Sequence, residues 1–104
     1  MRESPLIDSR MPELRALCAR FGVARLRLFG SAATGGFDPA TSDLDFLVEL
    51  GPAEDMSRFQ QFMGLKLALQ DLFGRPVDLI SARAVRGPAF RHSLEGSSID
   101  LYAA

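Results

Sequence analysis

The sequence predicts an α/β (α+β) domain, a small mixed β-sheet covered by helices largely on one side. Three observations carry that expectation. Apolar residues recur at spacings of three and four in two stretches, as on one face of a helix. Short β-prone runs of strand length lie between and after those stretches. Glycine and proline punctuate the joins. The element order is then α-β-(loop)-β-α-β-α-β.

Met11, Leu14, Leu17, Cys18 and Phe21 place an apolar stripe on a first helix ending near Gly22, with Pro5 and Asp8 just before or at its start. Cys18 lies on that stripe and reads as a small buried hydrophobe, since no nearby base would activate it as a nucleophile. Val23 to Phe29 reads as the first strand, with Arg25 and Arg27 between apolar residues. Gly30-Ser31 closes it, Ala32-Ala33-Thr34 can form a helical turn, and Gly35, Gly36, Asp38, Pro39 and Ser42 have loop chemistry. Leu44 to Leu50 is a second strand, stopped by Gly51-Pro52. Residues 54–73 predict a long helix with Met56, Phe59, Phe62, Met63, Leu67, Leu69, Leu72 and Phe73 on its apolar face and Gly74 at its C-terminal stop. Residues 76–80 predict a third strand, 88–94 a short helix and 98–102 a last strand. The 35–42 connection is too short for a crossover helix, so the first two strands are expected to be antiparallel neighbours.

A chain of 104 residues makes one domain with one modest core. Its hydrophobic content of 47% is ordinary for a globular protein and too high for disorder. A formal net charge of −1 gives no global attraction to nucleic acid or to a membrane. The cations are almost all arginine, with Lys66 the only lysine, which suits bidentate phosphate contacts and equally reflects GC-rich coding. A single cysteine excludes an intramolecular disulfide and fits a reducing, cytoplasmic setting. No signal peptide is evident, and no apolar stretch approaches the roughly 20 residues that span a bilayer.

The chemistry concentrates in residues 28–48. Asp43 and Asp45 are two positions apart at the head of a strand, where residues i and i+2 share a face. They can aim at one divalent cation. A Gly-Ser turn at Gly30-Ser31, leading toward a helix, offers backbone N–H groups to a phosphate. Asp78, in the apolar run Val77-Asp78-Leu79, is the obvious third carboxylate, because an unpaired charge there would be costly. Mg²⁺ takes oxygen ligands, typically a few carboxylates with phosphates and water. Together these features point to Mg²⁺-assisted nucleotidyl transfer. Read singly, each has a plainer explanation: an ordinary turn at Gly30-Ser31, a turn residue at Asp43, a solvated strand position at Asp45, and an ion pair of Asp78 with Arg75 or Arg83. His92 reads as a surface histidine, and Arg83, Arg86 and Arg91 as a basic cluster on a solvated face.

Gly30-Ser31, then Gly35, then Ser42-Asp43-Leu44-Asp45, and finally Val77-Asp78-Leu79 resemble the GSxxxG…SDxDxxV…VDL pattern of the DNA polymerase β-like nucleotidyltransferase superfamily. The small size resembles its minimal nucleotidyltransferases (MNT), and the resemblance runs from about residue 23 to residue 102. It implies the polymerase β-like fold over one nucleotidyltransferase domain, residues 1–104. It implies that Asp43 and Asp45 bind two Mg²⁺ ions and that Asp78 ligates the catalytic one and orients or activates the acceptor hydroxyl. Gly30 and Ser31 would hold the β- and γ-phosphates of ATP, Gly35 would let the backbone pass close by, and Ser42 would brace the loop. One departure is visible: Ala32-Ala33-Thr34 stands where many minimal members carry arginine.

Minimal nucleotidyltransferases resemble antitoxins paired with HEPN-domain ribonuclease toxins. In such pairs AMP passes from ATP to a toxin tyrosine. The resemblance therefore implies an antitoxin that AMPylates a HEPN partner. Two other readings stay open. One is a binding module that neutralises its partner by contact alone, through an exposed sheet edge that would equally serve homodimerisation. The other is nucleotidyl transfer to a small hydroxylated molecule such as an aminoglycoside.

Overall fold

Alternating and periodic apolar positions resolve into a one-sided core. The computed structural model describes residues 5–29, 44–82 and 99–104. Along these residues the chain runs α1 (Pro5–Asp8), α2 (Met11–Arg20), β1 (Val23–Phe29), β2 (Leu44–Leu50), α3 (Arg58–Phe73), β3 (Val77–Ser81) and β4 (Ile99–Ala103). The strands form one sheet in the order β3-β2-β1-β4. As expected, β1 is antiparallel to β2; it is also antiparallel to β4, while β2 and β3 are parallel, so the sheet is mixed. A parallel pair needs a crossover, and α3 provides it.

One face of each strand is buried: Leu26 and Leu28 in β1, Leu44, Phe46 and Val48 in β2, and Val77 and Leu79 in β3. They form one core with Leu14 and Cys18 of α2 and with Leu65, Leu69 and Phe73 of α3. The Phe46 and Phe73 rings stack at 6.2 Å between centroids. Each fully buried leucine or phenylalanine contributes about 1.5–3 kcal/mol of transfer free energy. Helix α2 packs on β1, α3 on β2 and β3, and the two helices on each other. Strand parity sends Arg25, Arg27, Asp45, Glu49 and Asp78 to the other face, and Asp100 of β4 ion-pairs with both arginines there. The charge-bearing face is therefore the one these helices leave open.

Several boundaries differ from expectation. Pro5–Asp8 forms its own short helix, with Ile7 buried. Helix α3 begins at Arg58 and not at residue 54, because Ser57 caps it. The Ser57 hydroxyl accepts from the Gln60 N–H at 3.1 Å, and the Gln60 side chain accepts from the Ser57 N–H at 2.8 Å. The buried stripe of α3 is Gln61, Leu65, Leu69 and Phe73, whereas Phe59 and Leu67 are 73% and 57% exposed. Gln61 is buried because it is bonded: its Nε2 donates to the Phe21 carbonyl at 2.9 Å and to the Gly51 carbonyl at 3.0 Å. It ties the turn before β1 to the end of β2, where the Gly51 N–H donates to the Gly22 carbonyl at 2.8 Å. Gly22 has φ +67°, and a Cβ there would sit 3.0 Å from Gln61 Nε2 and 3.1 Å from the Pro52 oxygen. Gly74 ends α3 in the left-handed conformation, as expected. Strands β3 and β4 each run one residue later than expected. The expected turn at 32–34 and helix at 88–94 lie outside the described residues.

Candidate active site

Asp45 and Asp78 arrive side by side because of register. The parallel β2–β3 ladder pairs Leu44 with Val77, Asp45 with Asp78 and Phe46 with Leu79. The flanking pairs are buried, so strand alternation turns both carboxylates to the open face. Neighbouring strands lie about 4.8 Å apart, close enough for two carboxylates to share one cation. Asp78 is exposed and Asp45 half-buried. Asp78 makes no ion pair with Arg75, which removes one plainer explanation for it.

These two side chains form a hard, oxygen-only donor set, which fits Mg²⁺ better than a soft or nitrogen-seeking metal. Asp43, the third expected ligand, lies outside the described residues, as do Gly30, Ser31, Gly35 and Ser42 in the expected phosphate loop. Accordingly, no group of three metal-ligating side chains gathers among the described residues. The residues at the border are placed: Phe29, the last of β1, pairs with Asp45. The chain thus enters Gly30-Ser31 from the position opposite a candidate ligand. Arg83, Arg86, Arg91 and His92 also fall outside the described residues.

A second polar cluster shares this face. Arg25 Nη2 donates to both oxygens of Asp100 at 3.3 Å, and Arg27 Nε lies 2.8 Å from Asp100 Oδ1. Alternation around Leu26 and Leu28 announces the side of the two arginines, but nothing local announces their partner at the other end of the chain. A cleft of about 290 Å³ lined by Leu50, Arg58, Phe59, Phe62 and Ser81 sits at the opposite ends of β2 and β3, away from the carboxylates. Cys18 is buried, and burial pushes its thiol up to about 12, so it is inert at neutral pH. Among the described residues no helix is long and apolar enough to cross a membrane.

Residues 14–100 match the nucleotidyltransferase domain family. A solved structure assigned as a minimal nucleotidyltransferase is 35% identical, with a TM-score of 0.75 over 94% of this chain and 95% of that one. Two toxin–antitoxin structures share the fold at lower identity. One, with AMP-PNP, is 18% identical with a TM-score of 0.66 over 90% of this chain and 73% of the other. The second is a tri-AMPylated Shewanella oneidensis HEPN toxin in complex with an MNT antitoxin, 16% identical with a TM-score of 0.63 over 93% and 72%. Comparison with curated proteins gives no match. A family match from α2 into β4, joined to a 35% identical structure aligned nearly end to end, shows that the chain belongs to the nucleotidyltransferase family and has the fold of its minimal members.

Proposed function

We propose that this protein is a Mg²⁺-dependent nucleotidyltransferase that moves AMP from ATP to a tyrosine hydroxyl of a partner HEPN toxin, and so acts as an antitoxin. The observation that carries the chemistry is the in-register pair Asp45–Asp78 on the open face of the sheet. The likeness to toxin–antitoxin complexes, one with AMP-PNP and one with an AMPylated HEPN toxin, supports the nucleotide and the partner.

In the reaction the acceptor oxygen forms a bond to the α-phosphorus, the bond from that phosphorus to the bridging oxygen breaks, and pyrophosphate leaves. Asp43, Asp45 and Asp78 would hold the Mg²⁺, which when bound supplies positive charge to the phosphates and to the attacking oxygen. Asp78, exposed on β3 at one edge of the sheet among the described residues, would orient the acceptor hydroxyl. The acceptor proton passes to a carboxylate or to solvent. Gly30 and Ser31 would hold the terminal phosphates through backbone N–H groups.

The test is incubation of the protein with Mg²⁺, ATP labelled at its α-phosphate and host lysate, beside Asp45→Asn/Asp78→Asn. The expected result is a labelled protein band that requires Mg²⁺ and vanishes with the double variant, with the label on tyrosine by mass spectrometry. A band of equal intensity with the double variant would overturn the assignment. A partner neutralised equally by the double variant, with no label transferred, would favour neutralisation by contact.

A further inference from the structure

The two ladders arrange the open face of the sheet in rows. Phe29, Asp45 and Asp78 form one row across β1, β2 and β3, Arg27, Leu47 and Ile80 form the next, and Arg25 and Glu49 begin a third. Leu47 and Ile80 are thus neighbours on parallel strands, each two residues beyond a candidate metal ligand and on the same face as it. Two residues of strand span about 6.6 Å. Both side chains are half-buried, and neither belongs to the core of the described residues or to the hydrophobics packed against it. Their inward neighbours Phe46, Val48 and Leu79 fill that core instead. Charge frames the apolar pair: Asp45 and Asp78 lie in the row before it, Glu49 in the row after it, and Arg27 beside it on β1, with its Nε 2.8 Å from Asp100 of β4.

Strand direction assigns the two sides of the carboxylate row. Strand β1 runs away from the Leu47–Ile80 row and ends at Phe29, level with Asp45, and Gly30-Ser31 follow it in sequence. In phosphoryl transfer the attacking and leaving oxygens lie roughly in line. With pyrophosphate leaving toward Gly30-Ser31, the attacking oxygen comes from the opposite side, above Leu47 and Ile80. The body of the acceptor then lies on two aliphatic side chains. A tyrosine suits that surface, because its ring is apolar and its one hydroxyl is at the tip, with a pKa of about 10. A serine hydroxyl brings no such body, and a sugar would lay polar groups against the pair without partners.

We propose that Leu47 and Ile80 form the acceptor subsite, on which the tyrosine ring of the partner protein lies while its hydroxyl reaches Mg²⁺ at Asp45 and Asp78. This rests on the nucleotidyl-transfer reading above and adds the residues that select the acceptor. The phenol oxygen bonds to the α-phosphorus, its proton passes to a carboxylate or to solvent, and pyrophosphate leaves on the far side. Because the two side chains bind the ring, their loss is felt in acceptor affinity and not in nucleotide affinity.

The test is transfer of α-labelled AMP from ATP, in Mg²⁺, to N-acetyl-tyrosinamide, N-acetyl-serinamide and the aminoglycoside kanamycin, with ATP affinity by isothermal titration and Tm alongside. Wild type is compared with Leu47→Thr/Ile80→Thr, which keeps residues suited to strands, and with Leu47→Met/Ile80→Val, which keeps the apolar surface. Wild type should label the tyrosine compound in preference to the other two. Leu47→Thr/Ile80→Thr should raise the KM for it about ten-fold or more at unchanged kcat and ATP affinity, and Leu47→Met/Ile80→Val should stay close to wild type. N-acetyl-phenylalaninamide, the same ring without the hydroxyl, should compete with the tyrosine compound on wild type. Absence of that competition overturns the subsite without recourse to a variant. Equal labelling of the serine compound or of kanamycin, an unchanged KM in Leu47→Thr/Ile80→Thr, or ATP affinity that falls in step with transfer also overturns it. Wild type that labels a lysate protein but none of the three compounds would overturn it and leave the nucleotidyl-transfer reading standing. Wild type that binds no ATP would overturn both.

Discussion

Asp45 and Asp78 sit at matched positions on parallel strands, where like charges directly opposite each other destabilise a sheet. A cation between them reverses that cost, so activity and stability should separate on mutation. Asp45→Asn or Asp78→Asn is expected to lower nucleotidyl transfer about 10³-fold, several kcal/mol of barrier. The urea midpoint of Asp78→Asn in metal-free buffer should equal or exceed that of wild type. A midpoint that fell in step with activity would make Asp78 a structural residue. Cys18 shows the opposite kind of site. Its folded pKa, about 12, lies above the ordinary value of 9.0, so its contribution to stability is complete below pH 9 and is lost as pH rises toward 12. Native protein at neutral pH should resist a thiol reagent that labels the unfolded chain at once, and denaturant midpoints should decline above pH 9. The sequence shows which face carries the carboxylates and that the thiol is in the core, because period-two spacing places the former and a helical stripe the latter. It does not show the Arg27–Asp100 contact, which joins residues near opposite ends of the chain.

Helix α3 shows where local pattern and tertiary context part. Glu54 and Asp55 resemble an acidic first turn, but the Ser57–Gln60 capping box sets the start at Arg58. Ser57→Ala should cost about 1 kcal/mol in chemical denaturation. The signal, a serine three residues before a glutamine, is present in the sequence. The buried face was harder to read. Hydrophobicity favours Phe59 and Leu67, yet the core accepts Gln61, whose amide meets two carbonyls from the turns flanking β1 and β2. Gln61→Leu keeps the size but leaves the Phe21 carbonyl without this donor, and should destabilise by about 1–3 kcal/mol in the same assay. A gain in stability would show that the amide contributes less than a methyl-rich replacement.

At the scale of the molecule, the candidate ligands come from strands separated in sequence by the whole of α3, so the site exists only when helix, crossover and sheet are assembled together. Mg²⁺ and ATP should therefore stabilise the entire fold. At a hundred-fold excess over the dissociation constant the gain is about 2.7 kcal/mol, readable as a rise in Tm. Asp45→Asn/Asp78→Asn should show no such rise, and an equal rise would place the nucleotide elsewhere. The sequence by itself determined the layered α/β architecture, the antiparallel β1–β2 pair, the strand that carries Asp45 and the one that carries Asp78. Each of these follows from local periodicity, turn chemistry or connection length. Only the tertiary structure decided that Asp45 meets Asp78 in register, that Asp100 ion-pairs with Arg27, and that Gln61 outranks Phe59 for the core. Those outcomes depend on which strands become neighbours and on which buried polar atoms find partners, and both are set by the closing of the whole sheet against its helices.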